Sequence, residues 1–209
     1  MIKLQDMLDN KKIWFVSGVS GVGKTSVIPY LKSLLPLGYE IHDFDEGGVP
    51  AGADYKWRID RTKEWIRFGD CKLADDITII VCGIANPEEI EVIKKDFPNL
   101  DIVVILLDGE VEVIEQRFRD RNKDKKVENN LKRVVGSVDK FIKDNSNFLL
   151  ALREISKKHN CQIIDTTHIS PEDVAKKIVD LINNHKKDYP NAKDICDNWR
   201  TGGWKDDCN

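Results

Sequence analysis

The sequence is short of the features that mark a specialised chain. Its five cysteines, Cys71, Cys82, Cys161, Cys196 and Cys208, are odd in number and contain no C-x-x-C pair. This excludes a disulfide framework or a zinc site and fits a reducing cytoplasm. No apolar run reaches the roughly 18 residues that a membrane span requires. The first 12 residues are too polar for a secretory signal. A cytoplasmic chain without a membrane partner is therefore expected. An excess of one charge is also lacking: 33 Lys and Arg face 36 Asp and Glu in 209 residues, a net −3. That balance argues against a dedicated nucleic-acid surface. Internal repeats and low-complexity tracts are absent too. With 41% apolar residues, the chain can bury a core without staples.

Five apolar runs read as strands: residues 13–17, 40–44, 77–82, 102–107 and 162–164. Four are nearly continuous and β-branched, as in a sheet covered on both faces. Helical patterns alternate with them at 25–35, 54–68, 87–96, 111–121, 131–159 and 171–185. Ser170, Pro171, Glu172 and Asp173 form a helix start by type and order. Pro29 is expected to bend the first helix or strain one of its turns. The alternation predicts an α/β protein of three layers around a parallel sheet. Residues 1–185 read as one domain. A tail at 186–209, bearing Trp199 and Trp204, either packs back on it or trails free.

The segment Gly18-Val19-Ser20-Gly21-Val22-Gly23-Lys24-Thr25 matches G-x-x-x-x-G-K-[ST] in full. It lies between a strand and a helix, where the mechanism needs it. Its glycines let backbone N–H groups surround a phosphate, and the helix N-terminus favours negative charge. Lys24 is expected to reach the β and γ oxygens and Thr25 to ligate Mg²⁺, with Ser26 continuing the nucleotide-binding segment. A GTPase is disfavoured: Asp45-Glu46-Gly47-Gly48 fits D-x-x-G but follows the second strand, and Asn122-Lys123-Asp124-Lys125 lacks the last Asp of N-K-x-D. Motor-type ATPases close a strand with an acid, whereas the third run ends Val81-Cys82-Gly83.

The second strand ends His42-Asp43-Phe44-Asp45. Strand alternation puts Asp43 and Asp45 on one side, at the sheet edge where α/β proteins bind ligands. One carboxylate can support Mg²⁺, while the other holds an acceptor hydroxyl and takes its proton. The competing expectation is a solvated acid cluster before Gly47.

The phosphate loop with Ser26, the D-x-D, Arg117 to Arg121, and Asp165 to Ala175 together resemble the small P-loop kinases of the nucleoside-monophosphate kinase type. That group includes shikimate- and gluconate-kinase-like enzymes. The resemblance spans about residues 13–182. The stretch from Asp43 to Arg58 looks like a branch described only as ATPase or kinase. Such membership implies five parallel strands in the order 2-3-1-4-5 and a helical lid after strand four, at about 115–158. It also implies ATP and Mg²⁺ as cofactors. Arg117 would lie against adenine or phosphates, Arg121 on the transferred phosphate, and Thr166 and Thr167 by the adenine.

Charge patterning agrees with a lid. Between residues 115 and 158 there are 13 Lys and Arg and 7 Asp and Glu, a local +6, which leaves −9 for the rest. Residues 123–126 read as its flexible tip. The resemblance places acceptor binding between strands two and three, where Trp57, Arg58 and Arg61 share a helical face. Those side chains either grip an acceptor or, with Trp65, dock the helix. Gly83 opens a compact turn that can bring backbone close to the acceptor. The D-G-x-P-R motif of monophosphate kinases is missing there, which counts against a nucleotide acceptor. The four histidines show no metal-ligand spacing and read as structural. The expected activity is transfer of the γ-phosphate to a hydroxyl or phosphate of a small metabolite, by a monomer or homodimer. Rival readings are a regulatory nucleotide-binding ATPase and a kinase for nucleic-acid ends.

Overall fold

Five strands form where the apolar runs fall. The computed structural model describes residues 12–50, 52–121, 123 and 137–187. The Trp-bearing tail and most of the expected lid tip lie outside these residues. Strands β1 (Lys12–Ser17), β2 (Tyr39–Asp43), β3 (Thr78–Cys82), β4 (Asp101–Asp108) and β5 (Gln162–Asp165) make one sheet in the order β2-β3-β1-β4-β5. Every pairing is parallel. This is the order that the resemblance implied. Two register lines, Asp43↔Cys82↔Val16 and Leu107↔Ile164, bring the strand ends to one edge.

Among the described residues six helices accompany the strands: α1 (Lys24–Leu34), α2 (Tyr55–Ala74), α3 (Pro87–Lys94), α4 (Val111–Arg121), α5 (Val138–Lys158) and, after the last strand, α6 (Pro171–Lys187). Two cores result, one on each sheet face. Trp14, Val16, Ile80, Ile105 and Leu107 face Leu31, Leu149 and Ile178, while Ile13, Phe15, Ile79 and Val81 face Ile66 and Ile90. The continuous apolar strands thus cover both layers, and each fully buried Leu or Ile contributes about 1.5–3 kcal/mol.

Helix ends follow capping chemistry. Asp54, read from sequence as helical, instead precedes α2 and accepts from Trp57 N–H at 2.9 Å. Asn86 accepts from Glu88 N–H at 3.0 Å, with Pro87 opening α3. Helix α2 runs to Ala74, six residues past the expected end. Gly69 lies within that extension, and a methyl group there would meet Ile13 Cδ1 at 2.6 Å. The glycine serves close helix–sheet approach and does not stop the helix. Pro29 is accommodated inside α1. The expected helix over 131–159 is described from Val138, with Ser137 capping Lys140 N–H at 3.3 Å.

Candidate active site

The loop from β1 to α1 wraps the N-terminus of α1 at the sheet's C-terminal edge. Gly23 precedes α1 with φ 109°, a left-handed conformation that a side chain would strain. The buried loop residue Val19 anchors the turn, and Gly18 sits tight against Val22 and the Leu107 carbonyl. These two therefore form the loop's base, while Ser20, Gly21, Val22, Gly23, Lys24, Thr25 and Ser26 line a cavity of about 520 Å³. Lys24 Nζ donates to the Val19 carbonyl at 2.8 Å. Burial lowers its pKa to about 8, against the opposing pull of Asp45 and Asp43.

Asp43 and Asp45 reach the same cavity. The route differs from strand alternation, because β2 ends at Asp43 and Asp45 belongs to the following turn. Asp45 N–H donates to Asp43 Oδ1 at 3.0 Å, and Phe44 between them is buried against Gly83. A methyl group on Gly83 would occupy the Phe44 side chain's place. Asp43 Oδ2 accepts from the Thr25 hydroxyl at 3.0 Å. This hydroxyl and carboxylate are hard oxygen donors side by side, and they fit Mg²⁺, which takes few protein ligands and keeps waters. Removal of solvent, then the Asp43 charge, pushes the Asp45 carboxyl above its ordinary value. A raised carboxyl beside a phosphate site suits proton acceptance.

Helix α2 supports that turn. Arg61 donates to the Phe44 carbonyl at 3.3 Å and to the Glu46 carbonyl at 2.6 Å, and Trp65 Nε1 donates to the Phe44 carbonyl at 3.1 Å. Arg61 also lies over the Trp65 ring. For Arg61 and Trp65 the docking alternative holds, whereas Trp57 and Arg58 line the cavity. Arg58 is paired with the buried carboxylate of Glu89, a partner the sequence reading missed. Helical spacing cannot show it, because Glu89 comes from α3.

On the other side, Arg117 lines the cavity with Thr166, Ile169, Pro171 and Val174. Its guanidinium donates to the Thr166 and Thr167 carbonyls at 2.8 and 2.9 Å. Thr167 stands behind this wall: its hydroxyl accepts from Glu110 N–H at 3.0 Å and bonds Asp165. So Thr166, and not Thr167, faces the cavity. Arg121 also lines it, close enough to Lys24 to lower that amine's pKa, and packs over Phe118.

At the end of β3, Cys82 takes the place where motor-type ATPases carry an acid. Burial pushes its thiol to about 12, so it is neutral. Asp108 ends β4, yet Arg153 of α5 grips it by two hydrogen bonds, at 2.7 and 2.9 Å. His42 packs on Trp65 and Phe68, and His185 on Trp14. Among the described residues no group of three His, Cys, Asp or Glu gathers as a metal cluster. No described helix is long and apolar enough to cross a membrane.

No family model matches the chain, and no curated protein sequence matches it. Solved structures do. A sugar kinase from Janibacter sp. HTCC2649 is 19% identical, with 83% of this chain and 95% of that one covered and a TM-score of 0.56. The tunicamycin resistance protein of Deinococcus radiodurans is 16% identical over 83% and 96%, with a TM-score of 0.51. The YorR protein of Bacillus subtilis, solved with phosphorylated GDP, is 17% identical over 84% and 98%, with a TM-score of 0.50. With the strand order and the phosphate loop, these likenesses identify the fold as that of the P-loop kinases.

Proposed function

We propose that the protein is an ATP- and Mg²⁺-dependent phosphotransferase that moves the γ-phosphate to a hydroxyl or phosphate of a small metabolite. One observation carries this reading: phosphate loop, Thr25–Asp43 pair and Asp45 open into one cavity. Backbone N–H groups from Gly21 to Thr25 hold the phosphates, with Lys24 as the cation. Mg²⁺ held on Thr25 and Asp43 would neutralise phosphate charge and align the transferring group. Asp45 positions an acceptor hydroxyl and takes its proton. Arg121 and Lys24 offset charge on the phosphoryl oxygens. Arg117, braced by two carbonyls, presents a planar face to the nucleotide base beside Thr166 and Ile169. Trp57, Arg58 and Gly83 bound the acceptor end.

The proposal includes a cytoplasmic setting, supported by free Cys71, Cys82 and Cys161 among the described residues. The test is a transfer screen with γ-labelled ATP and Mg²⁺ over pooled sugars, hydroxy acids, nucleosides and nucleotides. Label in an acceptor pool, lost with Asp45→Asn, is the expected result. Acceptor-independent release of phosphate alone would replace the proposal with the regulatory ATPase.

A further inference from the structure

The phosphate loop is held from outside by a residue 125 positions away. Asn145 Oδ1 accepts from Ser20 N–H at 3.0 Å, and Asn145 Nδ2 donates to the Ser20 carbonyl at 3.0 Å. A carboxamide has an acceptor and a donor side by side, which match the N–H and C=O of a single residue. Neither a hydroxyl nor a carboxylate can supply that pair in the same geometry.

These two bonds act on two consecutive peptide units. In a trans peptide the N–H and C=O point in opposite directions. Fixing Ser20 N–H toward α5 therefore turns the Val19 carbonyl the other way. That carbonyl accepts from Lys24 Nζ at 2.8 Å. Fixing the Ser20 carbonyl toward α5 likewise turns Gly21 N–H away from α5, and Gly21 is one of the residues that line the cavity. One amide thus orients both the carbonyl that anchors Lys24 and the N–H of a cavity-lining glycine.

Helix α5 is itself firmly seated. Leu149, one turn beyond Asn145, is fully buried, and Arg153, a further turn on, clamps Asp108 at the end of β4. Ser146 ties α5 to Glu115 of α4 at 2.7 Å, and Phe118 stacks on Phe141. Gly21 in turn lies against α4, where a methyl group would meet the Ile114 carbonyl at 2.8 Å. Helix α5 is thus a buttress of the phosphate loop.

We propose that Asn145 is a positioning residue for nucleotide binding, holding the Ser20 peptide units so that Lys24 and the loop N–H groups meet the phosphates. The inference rests on reading Gly18–Thr25 as the nucleotide site. The experiment measures the Kd of a fluorescent ADP with Mg²⁺, and the melting temperature, for wild type, Lys24→Ala, Asn145→Ala, Asn145→Gln and Ser146→Ala. Asn145→Ala is expected to raise Kd about tenfold, as loss of two ordinary hydrogen bonds would. Asn145→Gln, which keeps both amide functions, should recover part of that loss. Ser146→Ala loosens the same helix without touching the loop, so it should lower the melting temperature and leave Kd alone. Should Asn145→Ala fail to fold, Asn145→Gln against Ser146→Ala decides. Wild-type Kd in both Asn145 variants overturns the inference, as does an equal rise in Ser146→Ala. If Lys24→Ala alone abolishes binding, the nucleotide site stands while the inference falls. If the wild type binds no nucleotide, both fall together.

Discussion

The ends of β2 and β4 carry the same residue at the same edge of the sheet, and the two aspartates have different surroundings. Asp43 accepts from a hydroxyl, Thr25, and opens on the cavity beside Asp45 and Lys24. Asp108 accepts from Nε and Nη2 of Arg153, one on each carboxylate oxygen, and its side chain is only 13% exposed. The first has lone pairs to offer a cation and its waters. The second has its charge neutralised and its geometry fixed, so it joins α5 to the sheet. A strand-end acid is thus left open to a cavity or locked into the scaffold according to its partner. In this fold the partner comes from a distant helix.

Substitutions on the β2 side should therefore remove activity and spare stability, with the reverse on the β4 side. The largest effect is expected from Lys24→Ala, which takes transfer of labelled phosphate below detection with little change in melting temperature. A variant that still transferred phosphate would overturn the loop assignment. Next, Asp45→Asn should cut kcat on the order of 10³-fold, as loss of a general base does. Nucleotide affinity should stay within about twofold, because the group acts on the acceptor.

The direct comparison pairs Asp43→Asn with Asp108→Asn. The first should lower activity by about 10²-fold and raise the Mg²⁺ requirement, as weakening a metal site does. The second should cost about 2 kcal/mol, the scale of charge-assisted hydrogen bonds, and leave the Mg²⁺ dependence unchanged. It would be read as a melting temperature lower by roughly 5 °C. Equal loss of stability in both variants would erase the distinction between the two edges.

The smallest effect is a pH dependence. Burial gives Lys24 a pKa of about 8. A phosphate beside it stabilises the ammonium and raises that value, so binding takes up a proton once the pH exceeds 8. Affinity for ADP should then be flat below about pH 7.5 and fall about tenfold between pH 7 and 9. Calorimetry in buffers of different ionisation enthalpy checks the proton uptake. A flat profile across that range would mean that Lys24 is charged throughout.

Local pattern carried much of the fold. The five apolar runs became strands within one residue at every end, because a strand covered on both faces can hardly be anything but apolar. The phosphate loop was legible for a similar reason: contiguous residues make it, and the glycines declare its backbone. Asp43 and Asp45 do reach one cavity, although alternation was an incomplete reason. A turn, pinned by Arg61 and Trp65, carries Asp45 to the cavity. What stayed hidden were pairs between distant segments. Arg58 with Glu89, Arg153 with Asp108, and Asn145 with Ser20 lie 31, 45 and 125 residues apart. Nothing in a helical or strand period encodes such partners.

Thr167 makes the same point on a small scale. The resemblance placed it at the adenine, yet its hydroxyl is committed to Asp165 and Glu110, and Thr166 faces the cavity. By itself, then, the sequence determined the alternation of layers, the glycine-rich loop and the presence of two acids at the end of β2 and just beyond it. Those depend on periodicity and on the backbone freedom of neighbouring residues. Only the tertiary structure decided which strand-end acid stays open, which arginine is neutralised, and which asparagine braces the loop. These are properties of where side chains from separate elements meet, and packing alone brings those elements together.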